Sequence, residues 1–429
     1  MTHSFTQKTA FALYQLVWSV ALPILHRNHR LRQGWEQRLL KKKPKPCELW
    51  IQAASVGESY LAGEIIRRLN PEKRLRILLT TNTSQGMEVL EKNRRSAERT
   101  KLNMVVQTGY CPFDQPKIMA RAMARVRPRL VVLLESELWP GLMATCRQKK
   151  IKMAVINGRI NEKSLKRYRV WPSLWHNLRP DKVLAISEND SARFATLFGA
   201  DIVETMHNIK FDRVNELGLA AGRVNPLSAL IGPDEHLLVL GSVREEEEKD
   251  IAWLIKNIMR KSPGTIIGLF PRHMHRLKSW RKALARLSLP WLLRSDIQDQ
   301  VKSGTVVLWD VMGELSPAYA IAQTAFVGGS LVPVGGQNFL EPLTCGIRPV
   351  IGPNWTNFLW IGREIINQGL VTEVKDRREL AEVLLKRLNQ PLQRQEIKKA
   401  VISYVRSRQG GTQQACRTIQ ELLGSNSKK

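Results

Sequence analysis

At 429 residues the chain is longer than one hydrophobic core usually serves, which points to two or three domains. Hydrophobic residues at 43% and charged residues at 24% exclude a disordered or low-complexity chain. With 67 Lys and Arg against 38 Asp and Glu, the net charge of +29 favours anionic partners (nucleic acid, acidic lipid or phosphorylated substrates) and is silent about fold.

Thr9 to Leu25, TAFALYQLVWSVALPIL, carries no charge over 17 residues, the lower limit for crossing a bilayer. No small-residue cleavage site follows, which argues against a removable signal peptide. The next stretch, HRNHRLRQGWEQRLLKKKPKP, has eight Lys/Arg and a single Glu. Basic residues after an anchor keep that side in the cytoplasm and attract acidic headgroups. A membrane anchor or interfacial helix is therefore expected over residues 1–30, with a buried helix of the first domain as the alternative. The cysteines Cys47, Cys111, Cys146, Cys345 and Cys416 are dispersed without CxxC spacing, so a reducing compartment is expected and a zinc site is not.

Short apolar runs then alternate with helical patterns. Strands are expected at LWIQA (49–53), RILLTT (76–81), RLVVLLES (129–136), KMAVING (152–158) and KVLAIS (182–187). Between them Leu61, Ile65 and Leu69 recur at helical spacing. Near-continuous apolar strands separated by helices mean a parallel sheet covered on both faces. The Gly- and Pro-rich stretch 217–236 reads as a boundary, after which LLVLGS (237–242), TIIGLFPR (265–272), TVVLWD (305–310), AFVGGS (325–330) and RPVIGP (348–353) restart the pattern. Two doubly wound α/β domains facing a central cleft are expected, over residues 31–222 and 223–429, with ligands at the C-terminal strand ends.

Polar clusters follow the strands. Glu58 starts a helix after 49–53, where a carboxylate either complements the helix dipole or serves as a general base. Glu135 lies at the end of the strand 129–136 and Glu137 just after it, and two carboxylates there are expensive to bury unless paired. Lys210, in HNIKFD, offers an ammonium to an anionic ligand. Pro271 and Arg272 leave the strand 265–272 with a guanidinium suited to phosphate or carboxylate. Met312, Gly313 and Glu314 leave the strand 305–310. GGSLVPVGGQNFLEP (328–342) lacks the GxxxxGK[ST] of a P-loop. Its Asn338 and Glu341 match a capping box, with Pro342 in the first turn, and a helix start after glycines is a ready anion site.

SVGES, Phe113-Asp114, ESELWP, NGRINEKS, HNIKFD, PRH, MGEL, GGSLVPVGGQNFLEP and GPNWTNF occur in this order along nearly the whole chain. The ordered set resembles the 3-deoxy-D-manno-octulosonic acid (Kdo) transferase family of lipopolysaccharide synthesis. The resemblance implies a two-domain GT-B glycosyltransferase, anchored to the inner membrane with its catalytic domains on the cytoplasmic side. It implies transfer of Kdo from CMP-Kdo to a lipid A precursor with inversion, using no metal and no cofactor. By the same resemblance the first domain binds the acceptor and the second the CMP-sugar. Glu58 corresponds to the proton acceptor, and Glu135 and Lys210 to transition-state support. The donor contacts correspond to Pro271, Arg272, Met312, Gly313, Glu314, Asn338, Phe339, Leu340 and Glu341. The implied partners are CMP-Kdo, a lipid A precursor and anionic inner-membrane lipids, not nucleic acid. Five positions depart from the family pattern: Val334 and Gln337 stand where the loop usually has Arg and His, Asn354 stands for a His, and Met274 and His275 turn PRHPER into PRHMHR. Two other readings are a GT-B enzyme using another activated sugar, such as a UDP-sugar, on a membrane lipid, and a basic nucleic-acid-binding protein. No recognised binding motif supports the latter.

Overall fold

A computed structural model describes residues 5–100, 102–214, 225–232 and 235–424. The chain forms two compact units. The first runs to Arg213 and resumes at Arg408; the second is Val214–Ser407. The expected boundary at 222/223, and residues 217–224 and 233–234 of the expected linker, lie outside the described residues.

The first unit is built on a parallel sheet of seven strands among the described residues, in the order β3-β2-β1-β4-β5-β6-β7. These are β1 (Leu49–Ala53), β2 (Leu75–Thr81), β3 (Met104–Tyr110), β4 (Leu130–Leu134), β5 (Lys152–Gly158), β6 (Lys182–Ala185) and β7 (Val203–Thr205). Every residue of β1 and β4 is buried, which is why these strands read as near-continuous apolar runs, with the buried Gln52 as the one polar residue. Alternate side chains serve opposite faces. Trp50, Val131, Leu133 and Val155 join one core cluster, while Leu49, Ile51, Val132 and Ile156 join the other. The sequence does not predict β3 and β7, which are the two edge strands.

The last helix, Gly411–Gly424, belongs to this first unit and not to the second. Ala415, Cys416 and Ile419 are buried in the same cluster as Leu61 and Ile65 of the helix Val56–Arg68. Asp212 fixes the return: its buried carboxylate accepts the Gly410 N–H at 2.7 Å and the Thr412 N–H at 2.6 Å.

The second unit repeats the architecture, with seven described strands in the order β10-β11-β9-β8-β12-β13-β14. They are β8 (Leu237–Val243), β9 (Ile266–Pro271), β10 (Trp291–Leu293), β11 (Val306–Leu308), β12 (Thr324–Val327), β13 (Val350–Ile351) and β14 (Thr372–Glu373). Leu238, Leu240 and Ile267 face one core cluster, and Leu237, Val239 and Ile266 the other. Again the unanticipated strands, β10 and β14, are the short edges.

The N-terminal segment is a helix, Phe5–Leu25. No helix among the described residues is long and apolar enough to cross a membrane, so the membrane anchor expected over 1–30 is not supported. The reason is visible in its packing. Phe11, Trp18, Leu22 and Leu25 lie against the first unit's core, and Trp18 meets the Phe113 ring at 5.8 Å. The Tyr14 hydroxyl donates to the buried Asp114 at 2.8 Å. Gln15, Ser19 and Pro23 interrupt the apolar run. Leu13, Leu16, Val17, Val20 and Ile24 face outward, 56–65% exposed.

Asp212→Ala strands the amide donors of Gly410 and Thr412, and is expected to lower stability by roughly 2–4 kcal/mol. Urea denaturation measures the loss; a change below about 0.5 kcal/mol would show that this carboxylate does not hold the returning helix.

Candidate active site

In the first unit β1 and β4 are parallel neighbours not joined by a direct connection, the arrangement that opens a crevice beyond the C-terminal strand ends. Glu58 stands just past β1, at the third position of the helix Val56–Arg68. It closes a capping box with Ser55: the Glu58 N–H donates to Ser55 Oγ at 3.3 Å, and Glu58 Oε2 accepts the N–H of Ala54 at 2.5 Å and of Ser55 at 3.3 Å. The structural reading of Glu58 is thus met, yet both backbone bonds fall on one oxygen. Burial, and then the charge of Glu135, push its carboxyl above the ordinary range against the pull of those donors.

Glu135 follows β4 with φ +53, a left-handed conformation that costs a non-glycine residue about 1–2 kcal/mol. Its side chain is almost fully buried and lies between two cations. Arg159 Nη2 is 2.7 Å from Oε2, and Lys210 Nζ is 2.7 Å from Oε1. Arg159 comes from the turn after β5. Lys210 comes from a short helix, Ile209–Asp212, capped by Asn208, whose Oδ1 accepts the Lys210 N–H at 3.0 Å. Asn157, itself left-handed at φ +57, joins the two: its Oδ1 accepts the Ile209 N–H at 2.9 Å.

Glu137 completes the group. Burial and the charge of Glu58 push its carboxyl up to about 7, with a Trp139 indole bond at 2.5 Å opposing the rise. Three carboxyls and two cations therefore share the edge beyond β1 and β4. A carboxyl poised this way accepts a proton from a hydroxyl near neutral pH. The structure brings together the predicted Glu58, Glu135 and Lys210. Arg159 was missed, although its motif NGRINEKS stands out; the signal was a guanidinium directly after a buried strand.

In the second unit the glycine loop is closed on itself by a bond from Gly336 N–H to the Gly329 carbonyl at 2.6 Å. It is stitched to the following turn, where Asn357 N–H donates to the Gly335 carbonyl at 2.9 Å and Gly352 N–H to Ser330 Oγ at 2.8 Å. Gly328 admits no side chain: a Cβ there would lie 2.7 Å from the Ser242 carbonyl oxygen and 2.8 Å from Val243 Cα. Glu247, wholly buried, accepts the N–H of Gly329 at 2.5 Å and those of Ser330 and Leu331 at 3.0 Å each. The sequence hides this residue in the run REEEEK, which reads as a solvated charged face.

The predicted donor contacts divide by environment. Arg272 is exposed just past β9 and Pro271, with its N–H on the Val243 carbonyl at 2.8 Å. Met312 is 77% exposed, and Gly313 turns the chain at φ +89. The Glu314 carboxylate is committed to Arg294, at 2.8 and 3.0 Å, and to the Trp309 indole at 2.8 Å. Phe339 and Leu340 are buried, Phe339 against Trp355 and Phe358, so they support the segment from behind. Asn338 does not cap with Glu341 as expected: the helix Leu340–Thr344 starts after Phe339, and Asn338 Oδ1 accepts the Leu340 N–H at 3.2 Å. Glu341 is left outside a capping box, its carboxyl raised by burial.

A family model described as 3-deoxy-D-manno-octulosonic-acid transferase (kdotransferase) matches residues 33–213, nearly the whole N-terminal part of the first unit. A 3-deoxy-D-manno-octulosonic acid transferase of Bordetella pertussis is 30% identical over 392 residues, covering 89% of this chain and 89% of that protein. The chain belongs to the Kdo transferase family. A bifunctional glycosyltransferase/methyltransferase of Fusobacterium nucleatum is 28% identical over 342 residues, which are 78% of this chain but 52% of that protein, so the chain spans about half its length. A glycosyltransferase structure from Rickettsia africae covers 88% of this chain and 99% of its own, at 11% identity and a TM-score of 0.53, a likeness of fold alone. This Kdo transferase family member is a glycosyltransferase with a GT-B-like α/β fold of two parallel sheets.

The Glu137 carboxyl should titrate near 7 in carboxyl-detected NMR, and Glu58→Gln should lower that midpoint, because removing a negative neighbour relieves the anion. A midpoint unmoved by the substitution would show that the two carboxyls are not electrostatically linked.

Proposed function

We propose that the chain transfers Kdo from CMP-Kdo to a hydroxyl of a lipid A precursor, inverting the anomeric centre without a metal, with Glu58 as proton acceptor. The observation that carries this reading is the carboxyl–cation cluster beyond β1 and β4 in a chain of this family. The attacking hydroxyl loses its proton to Glu58 as its oxygen bonds to the anomeric carbon and the bond from that carbon to the CMP phosphate oxygen breaks, so CMP departs with the electron pair. Glu135 keeps Glu58 basic, since its negative charge disfavours the Glu58 anion. Lys210 and Arg159 pair with Glu135 and hold it in place while positive charge develops on the sugar ring.

The nucleotide falls to the second unit. Arg272 supplies a cation, the backbone at Gly313 lies open, since a Cβ there would meet nothing within 4 Å, and Asn338 and Glu341 present polar groups to the ribose and base. Glu314 orders its segment through Arg294 and Trp309, and Phe339 and Leu340 anchor theirs in the core.

The outward face of the helix Phe5–Leu25 lies in the inner-membrane interface on the cytoplasmic side, where a lipid acceptor is delivered. Its apolar stripe of Leu13, Leu16, Val17, Val20 and Ile24, followed by the basic stretch through Lys45, supports that placement.

Glu58→Gln keeps the capping geometry and removes the base. Turnover of CMP-Kdo with lipid A precursor, followed by mass spectrometry, should fall on the order of 10²–10⁴-fold with the thermal midpoint little changed. Near-normal turnover would sink the assignment of Glu58.

Leu16→Glu with Val20→Glu places charges on side chains that are 60% and 61% exposed, so the fold should survive. Flotation with vesicles containing phosphatidylglycerol should then drop on the order of tenfold. Equal flotation of variant and native chain would reject the interfacial placement.

A further inference from the structure

In the second unit β8 and β12 are adjacent parallel strands without a direct connection, so the ligand edge lies beyond Val243 and Val327. Two segments leave the sheet there, Arg244–Glu247 and Gly328–Leu331. A glycine turn in such a place ordinarily offers its N–H groups to a phosphate. Here those groups are taken. Glu247 receives the amides of Gly329, Ser330 and Leu331, and also that of Arg244 at 3.2 Å. A buried carboxylate in that position excludes an anion from the first half of the loop.

Arg244 is the remaining donor beside it. Its Nε is buried without a hydrogen-bond partner. Its Cγ lies 3.3 Å from where a Cβ would stand on Gly329, so the guanidinium stem packs on the loop itself. Nη1 is 3.3 Å from His273 Nε2, and Nη2 is 3.3 Å from Glu246. Glu246 is 46% exposed, and an ion pair of that kind contributes little. Arg272 adds to the same positive field. Desolvation, then Arg244, Arg272 and His275, hold the His273 imidazole below its ordinary value, which suits it to accept from Arg244.

We propose that Arg244 is a phosphate-binding residue of the donor half, aimed by Glu247, which takes the loop amides that a phosphate would otherwise use. The ligand class is a nucleoside 5′-phosphate, free or esterified to a sugar, and the proposal rests on the reading that the second unit holds the nucleotide. It supplies a cation beside the glycine loop, where Val334 and Gln337 stand in place of the family's usual Arg and His.

Calorimetry of the full chain with CMP and with cytidine tests this. Arg244→Gln should weaken CMP roughly tenfold to a hundredfold and leave cytidine unchanged, so the preference for the phosphate collapses. Glu247→Gln should weaken both ligands, because the loop loses its conformation. CMP affinity of Arg244→Gln within twofold of the native chain overturns the proposal; Arg244 is partly exposed, so its fold does not depend on the substitution. A native chain that ignores CMP but binds UDP rejects the donor reading alone, and the same Arg244→Gln comparison with UDP and uridine then decides Arg244. A native chain that favours neither nucleotide over its nucleoside overturns both.

Discussion

Both sheets begin in the middle. β1 lies between β2 and β4, and β8 between β9 and β12, so in each unit the first strand has a parallel neighbour far from it in sequence. Parallel pairing requires crossovers of one hand, and chains that leave a central strand in opposite directions uncover the strand ends between them. The chemistry-bearing groups sit at those two places. Glu58 follows β1 and Glu135 follows β4; Arg244 follows β8 and Gly328 follows β12. Only a strand buried on both faces tolerates such a position, which accounts for the apolar runs of β1, β4 and β8.

The two edges solve the problem of a buried carboxylate in opposite ways. Glu135 is balanced by charge, with a guanidinium and an ammonium each at 2.7 Å. Glu247 has no cation at hydrogen-bond distance among the described residues and is solvated by four backbone N–H groups. Charge balance leaves Glu135 as a negative neighbour at the first edge, and burial first, then neighbouring carboxylates, make Glu58 and Glu137 weaker acids there. Amide solvation consumes the field locally and gives rigidity instead. An edge that must move protons and an edge that must hold a loop call for these two different arrangements.

Much of the architecture is legible in the sequence because interior strands must be apolar on both faces. The ten predicted strands all appear within a few residues of their expected limits. The four missed, β3, β7, β10 and β14, are edges, where half-exposed side chains dilute the pattern: β3 buries only Met104 and Val106 of its seven residues, and β14 has two residues. Glu58, Glu135 and Lys210 are also legible, but their grouping is not, since Lys210 is 75 residues from Glu135 in the chain and meets it only through the short helix that Asn157 and Asn208 place. Glu247 and Arg244 are invisible for another reason: a charge run is ordinarily solvated, and only the fold shows one member turned inward. The N-terminal run misleads in the opposite sense. Its apolar residues are divided between Trp18 and Leu22, which pack inward, and Leu16 and Val20, which do not.

The return of the chain at Asp212 has a consequence for synthesis. The helix Gly411–Gly424 completes a core whose other members precede residue 210, and nearly two hundred residues of the second unit are made between them. On the ribosome the first unit therefore waits, with Leu61, Ile65 and their neighbours lacking their final cover, while the second unit can already close around its own sheet. The order of completion is the reverse of the order of the units along the chain. A nascent chain in this state exposes an apolar seam of known residues, and that seam is where a chaperone would find it.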